Sequence, residues 1–191
     1  MLRAGVSRRQ TACIQSTGRV MTSTTPILPD LLQPGLRAVI CGTAAGRTSA
    51  QLEAYYARSN NCFWEALYKV GLTPRKLKPQ EYRELIGFRL GLTDLAKAAS
   101  GVDSDLHDEA FNVAAFIESI DHCNPALVAF NGKKAARIFY GMPARAPLNY
   151  GQGATVPNFP RVFVLPSTSG SARAHWDLEW WREFARLVVA G

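Results

Sequence analysis

The stretch Ala38-Val39-Ile40-Cys41-Gly42-Thr43-Ala44-Ala45-Gly46 runs from four apolar residues straight into a loop of small ones. Near the other end of the chain, Arg161-Val162-Phe163-Val164-Leu165-Pro166-Ser167-Thr168-Ser169-Gly170 has the same design. A short apolar run of this kind reads as a buried strand, and the loop at its carboxyl end is where open α/β sheets carry their chemistry.

Working outward, Pro34-Gly35 reads as a turn before a strand over 36–41, and the apolar spacing of 61–70 suits a helix closed by Gly71. Lys78-Pro79-Gln80-Glu81 opens a further helix with proline in its first turn, running through Leu85, and 88–92 is a strand candidate. Phe111, Ala114, Ala115, Ile117 and Ile120 form the apolar stripe of a helix over 106–121. A strand over 126–130, a helix over 133–140, a Pro/Gly-rich stretch over 141–160, a strand over 161–165 and a closing helix over about 176–189 complete the pattern. Strands alternating with helices through short connections predict a three-layer α/β sandwich with a short, mostly parallel central sheet.

With 191 residues, the chain is long enough for one sizeable core and too short for two ordinary ones, so 26–191 is expected to form a single domain. Residues 1–25 carry Arg3, Arg8, Arg9 and Arg19 with no acidic residue, and are expected to be a disordered basic extension. A transit peptide, or a true start at Met21, fits the same stretch. The formal charge of +7 favours a polyanionic partner, because each Lys or Arg placed on a phosphate releases a counterion. No run reaches the roughly 18 apolar residues of a membrane span, which predicts a soluble protein. Cys13, Cys41, Cys62 and Cys123 form no C-x-x-C pair and have no His partners, so reduced thiols in the cytoplasm are expected, with no metal and no cofactor. Nothing in the sequence points to an oligomer.

Downstream of the first loop, Tyr55-Tyr56-Ala57-Arg58-Ser59-Asn60-Asn61-Cys62-Phe63-Trp64 is distinctive. Gly91-Leu92-Thr93-Asp94-Leu95, Phe130-Asn131-Gly132-Lys133-Lys134-Ala135, Asn149-Tyr150-Gly151-Gln152 and Val164-Leu165-Pro166-Ser167-Thr168-Ser169 follow in order. Together these segments resemble the uracil-DNA glycosylase superfamily, above all its mismatch-specific uracil/thymine and hypoxanthine branches, over roughly 36–186. The resemblance implies a hydrolase that excises uracil, with hypoxanthine a further candidate base, from DNA by base flipping, initiating base excision repair near the nucleoid. Lys133 and Lys134 open a helix rather than sit in an apolar, pocket-like setting, so no Schiff-base lyase step is expected and the enzyme reads as monofunctional. Some branches carry a four-cysteine cluster, and the spacing here is unlike theirs. One position departs: several branches hold Asp, Asn or Glu where this chain has Ala44, and an alanine can neither orient nor activate water.

Cleaving an N-glycosidic bond passes through a cationic sugar, so a polar group must hold water or stabilise charge. Asn61, which the resemblance assigns to catalysis, has an amide able to orient water or bond a uracil carbonyl; at the start of a helical run it equally suits a cap. Asp94 could stabilise the sugar cation or accept the uracil imide N–H, or else cap a helix. Gly42, Thr43 and Ala44 are expected to shape the base pocket, with Tyr56 stacking on the flipped base and Asn131 reading its edge; a core tyrosine and a turn asparagine are the plainer readings. Ser167, Thr168, Ser169 and Gly170 suit phosphate contacts, as do Arg47 and Arg58. Ser171 and Arg173 fall where relatives insert a wedge, although no large apolar residue is present. An ordinary surface loop has the same composition. The lysines and arginines at 69–78 and at 133–137 suit either a DNA track or solvated helix faces. Two other functions remain open: a non-catalytic binder of uracil-containing or abasic DNA, and a small-molecule nucleoside or nucleotide enzyme.

Overall fold

The computed structural model describes residues 25–101, 106 and 108–190. The expected basic extension, apart from Thr25, lies outside the described residues, as do Cys13 and His107. Five strands, β1 (Ala38–Ala45), β2 (Leu90–Ser100), β3 (Leu127–Asn131), β4 (Gly151–Gln152) and β5 (Arg161–Leu165), form one sheet in the order β2-β1-β3-β5-β4. The first four in that order run parallel, and β4 pairs antiparallel with β5 at the edge.

Alternation along the buried strands builds two cores, one on each face. Ala38, Ile40, Ala129 and Phe163 face a cluster containing Phe63, Leu67, Trp181 and Phe184. These last residues come from α2 (Phe63–Lys69) and α5 (Leu178–Ala190). Val39, Cys41, Val128, Phe130 and Val164 face Phe116, Ile120, Ala136 and Phe139. That layer is supplied by α3 (Val113–Cys123) and α4 (Lys133–Phe139). Each large apolar side chain buried in these layers contributes roughly 1.5–3 kcal/mol. The three-layer sandwich is therefore as expected, and α5 buries Trp181, Phe184, Ala185 and Val188 at helical spacing.

Several boundaries differ from the sequence reading. The strand predicted over 88–92 continues to Ser100, because the polar residues that read as a loop satisfy one another. The Thr93 hydroxyl donates to Asp30 at 2.8 Å, and Lys97 pairs with the same carboxylate. The helix predicted over 106–121 starts at Val113, where the Asn112 side chain accepts the Ala115 amide at 2.9 Å, and stops where Asn124 turns left-handed at φ +40°. The segment Pro79–Phe88 winds as a 3-10 helix rather than an α-helix. The stretch before Tyr55 contains a short α1 (Arg47–Gln51), and the Pro/Gly-rich stretch contains β4. At Gly151 φ is +95°, and an added Cβ would lie 2.8 Å from the Trp180 ring, so only glycine fits.

The chain leaves β1 for β2 on one side and returns for β3 on the other. Connections from neighbouring strands thus diverge at the carboxyl ends of β1 and β3, opening the crevice in which α/β sheets bind ligands.

Candidate active site

A cleft of about 1000 Å³ opens at that divergence, lined by the loops after β1, β3 and β5. Its floor depends on Gly42. In the β1–β2 ladder Gly42 is registered against Asp94, and a Cβ at position 42 would run into the Asp94 carboxylate and stand 3.4 Å from the Tyr56 hydroxyl. A carboxylate with 6% exposure is thereby held against bare backbone on the wall of an open cleft.

The opposite wall is locked through Thr168. Asn131 Nδ2 donates to Thr168 Oγ1 at 2.9 Å, and Asn131 Oδ1 accepts the Thr168 amide at 3.0 Å. The Thr168 carbonyl accepts the Cys62 amide at 3.0 Å and the Cys62 thiol at 3.4 Å. One fully buried threonine therefore fastens the β5 loop to the end of β3 and to the start of α2. Two indoles extend the frame: Trp181 Nε1 donates to the Pro166 carbonyl at 3.2 Å, and Trp64 Nε1 to the Tyr55 carbonyl at 3.2 Å. Gly132 and Gly170 allow close approach: a Cβ added to Gly132 would stand 3.2 Å from the Ser167 side chain, and one added to Gly170 would run into the Asn60 amide.

A family model, that of the uracil DNA glycosylase superfamily, matches residues 29–186, which takes in the cleft and the sheet beneath it. The chain belongs to this superfamily. A solution structure of a protein from Methanosarcina acetivorans, assigned as a uracil DNA glycosylase, shares the fold at a TM-score of 0.59. It is 22% identical, over 86% of this chain and 98% of that one.

Within this superfamily member, Gly42, Thr43, Ala44, Arg47, Tyr56, Arg58, Asn61, Asp94 and Asn131 all line one cleft, together with Ser167, Thr168, Ser169 and Ser171. Gly170 and Arg173 lie off the wall, on the short 3-10 turn Gly170–His175, where Arg173 is exposed. Thr168 has no exposed surface and its hydroxyl is engaged by Asn131, so its side chain shapes the loop and offers nothing to a phosphate. Asn61 lies one residue before Cys62, the N-cap of α2, and spends its carbonyl oxygen on the Phe63 amide at 3.0 Å, so it closes a local turn at the helix start, and its amide nitrogen retains donors beside the cleft. Tyr56 stacks on Phe63 at 3.9 Å between ring centroids, so one ring face is already covered.

The two basic clusters part company. Lys133, Lys134 and Arg137 line the cleft, and Lys133 Nζ lies 4.1 Å above the Tyr150 ring. Lys69 and Lys76 pair with Glu65, and Arg75 with Glu81 and Glu84, which makes the 69–78 run an ion-paired surface. His175 also lines the cleft, and Tyr150 lies beneath Lys133. Only their positions in the chain, just after the β5 loop and inside the Asn149–Gln152 segment, hinted at either. Among the described residues Cys41, Cys62 and Cys123 are free thiols, and no three His, Cys, Asp or Glu side chains cluster as a metal site. No described helix is long and apolar enough to cross a membrane.

Burial, followed by the charge of Asp94, pushes the Tyr55 and Tyr56 hydroxyls and the Cys41 thiol well above their ordinary values of 10.0 and 9.0. All three stay protonated in the folded protein while their unfolded counterparts ionise. Stability contributed by the neutral forms is thus complete below about pH 9 and is lost as pH rises past 9 and then 10. Denaturant titrations at pH 7, 9 and 10.5 are expected to show a falling midpoint, with Tyr56→Phe shallower than wild type; a midpoint flat across that range would contradict the burial of these groups.

Proposed function

We propose that this chain excises uracil, and hypoxanthine more slowly, from DNA by drawing the flipped nucleotide into the cleft and hydrolysing its N-glycosidic bond. The observation that carries the reading is Asp94, buried against Gly42 on the wall of a cleft whose rim bears Arg47, Arg58 and Lys133. As the bond between sugar and base lengthens, the electron pair leaves with the base and positive charge grows on the sugar. A carboxylate at that point stabilises the cation and takes the proton of the attacking water, so the role absent at Ala44 passes to a neighbouring strand.

The donors left on Asn61 suit orienting that water, and Asn131, oriented by Thr168 and beside the Tyr56 hydroxyl, is placed to turn its second amide hydrogen to a base carbonyl. Tyr56, backed by Phe63, supplies the aromatic wall. Ser167, Ser169, Ser171 and Arg173 grip the backbone around the extruded nucleotide. The wedge turn has no large apolar residue, which favours single strands and already unpaired bases. The reaction so written calls for no metal, cofactor or Schiff base; its product is an abasic site, its place the start of base excision repair, and its form a monomer acting on chromosomal DNA in the cytoplasm.

Ala44 favours a second reading, a protein that binds uracil-containing or abasic DNA without cutting the glycosidic bond. Whether the true partner is DNA at all is tested by binding and turnover together. Affinity for a uracil oligonucleotide is expected to fall linearly in log–log form with salt, at a slope of about 0.7 per phosphate contacted on a single strand and about 0.9 on a duplex, with free deoxyuridine left intact. Hydrolysis of deoxyuridine alongside salt-insensitive DNA binding would instead assign a nucleoside enzyme.

A further inference from the structure

Tyr56 carries two features that aromatic stacking does not require. Its backbone is left-handed, at φ +54°, a conformation that costs a bulky residue on the order of 1 kcal/mol or more. Its hydroxyl is buried and completes no well-formed hydrogen bond; the Asn131 side chain is close enough to favour the ionised phenol slightly, yet accepts no proton from it, and a donor left open in this way costs roughly 1–3 kcal/mol. Both features would vanish if the ring were phenylalanine on a relaxed turn.

Where the hydroxyl points is informative. The spot a Gly42 Cβ would fill lies 3.4 Å from the Tyr56 oxygen and also against the Asp94 carboxylate, so both groups converge beneath the same backbone atom. Having no surface of its own, the hydroxyl cannot touch a nucleotide or a water in the cleft; Asp94 lines the cleft and can. Burial and the adjacent Asp94 charge keep the phenol protonated, so it remains a donor. The Phe63 stack, the Trp64 indole bonded to the Tyr55 carbonyl and the Ser49 hydroxyl accepting the Ala57 amide at 3.1 Å fix the turn from three sides.

We infer that Tyr56 is a positioning residue for Asp94: when the nucleotide enters, its hydroxyl donates to the carboxylate and sets the oxygen that faces the sugar. Hydrogen bonds of this kind are commonly open in the empty site and close only around the reacting complex. The strained turn and the side-chain-free Gly42 are then parts of one device, which carries the hydroxyl beneath the carboxyl-terminal half of β1 to reach Asp94. This inference rests on the glycosylase reading above.

The test compares wild type, Tyr56→Phe and Tyr56→Leu on an oligonucleotide with one uracil. Single-turnover base release and affinity for the same sequence carrying a non-hydrolysable 2′-fluoro nucleotide are measured separately. Tyr56→Phe keeps the ring and is expected to slow release about 10- to 100-fold while affinity stays within about twofold. Tyr56→Leu is expected to lose both rate and affinity. Wild-type release by Tyr56→Phe, or a loss carried by affinity alone, would overturn the inference and leave the glycosylase reading standing. A wild-type protein that releases no base would overturn both.

Discussion

Asp94→Asn is expected to slow base release from uracil-containing DNA by about 10³-fold or more, with binding of the uncut substrate changed by less than about threefold. Asparagine has the shape of aspartate, so the contact with Gly42 and the β1–β2 register are retained. What the substitution removes is the negative charge and the basic oxygen that the proposed mechanism uses at the sugar and on the attacking water. A near-neutral effect on melting temperature, or a small rise, should accompany the loss, because an amide is cheaper to bury than a carboxylate. A variant that still releases base within about tenfold of wild type would move the chemistry to Asn61 or elsewhere on the wall. Equal losses in rate and affinity would mean that Asp94 holds the base and takes no part in bond cleavage.

Much of this arrangement is legible in the sequence, for definite reasons. β1, β3 and β5 are buried on both faces, so they appear as continuous apolar runs; β1 and β3 end on residues that line the cleft, and the loop after β5 supplies more of its lining. The stripe of α5 gives its inward face directly. What escapes is non-local pairing. Thr93 and Asp94 look like the end of a strand because the partner that satisfies Thr93 is Asp30, 63 residues earlier. β4 pairs only once β5 is in place, and no pattern of its own announces it. Asn131 and Thr168 read as separate ligand contacts, yet they bond each other across 37 residues. The positive φ of Tyr56 has no sequence signal at all, since tyrosine rarely adopts it.

That latch makes Asn131→Ala the second large effect. The substitution leaves the Thr168 amide and hydroxyl without partners in a fully buried setting, at about 1–3 kcal/mol for each group. A total of about 2–6 kcal/mol should lower the melting temperature by roughly 5–20 °C in a domain of this size. Thr168→Val removes only the hydroxyl bond and should cost about half as much. Both variants are expected to weaken binding of uracil DNA beyond their thermal effect, because the β5 loop loses its tether to β3 while Cys62 alone holds the Thr168 carbonyl. A melting temperature within 2 °C of wild type for Asn131→Ala, by the same scale, would mean that the two loops stand without the latch.

The central claim is that chemistry persists in a superfamily member whose first motif carries Ala44, because Asp94 supplies the missing group. The most direct measurement is base release by the wild-type protein from end-labelled oligonucleotides bearing one uracil or one hypoxanthine, single-stranded and opposite A or G, with alkali revealing abasic sites. Alkali-labile cleavage at uracil, fastest on the single strand and lost in Asp94→Asn, is the predicted result. Intact DNA on every substrate, held in a tight lesion-specific complex, would contradict it and make the protein a binder of damaged DNA.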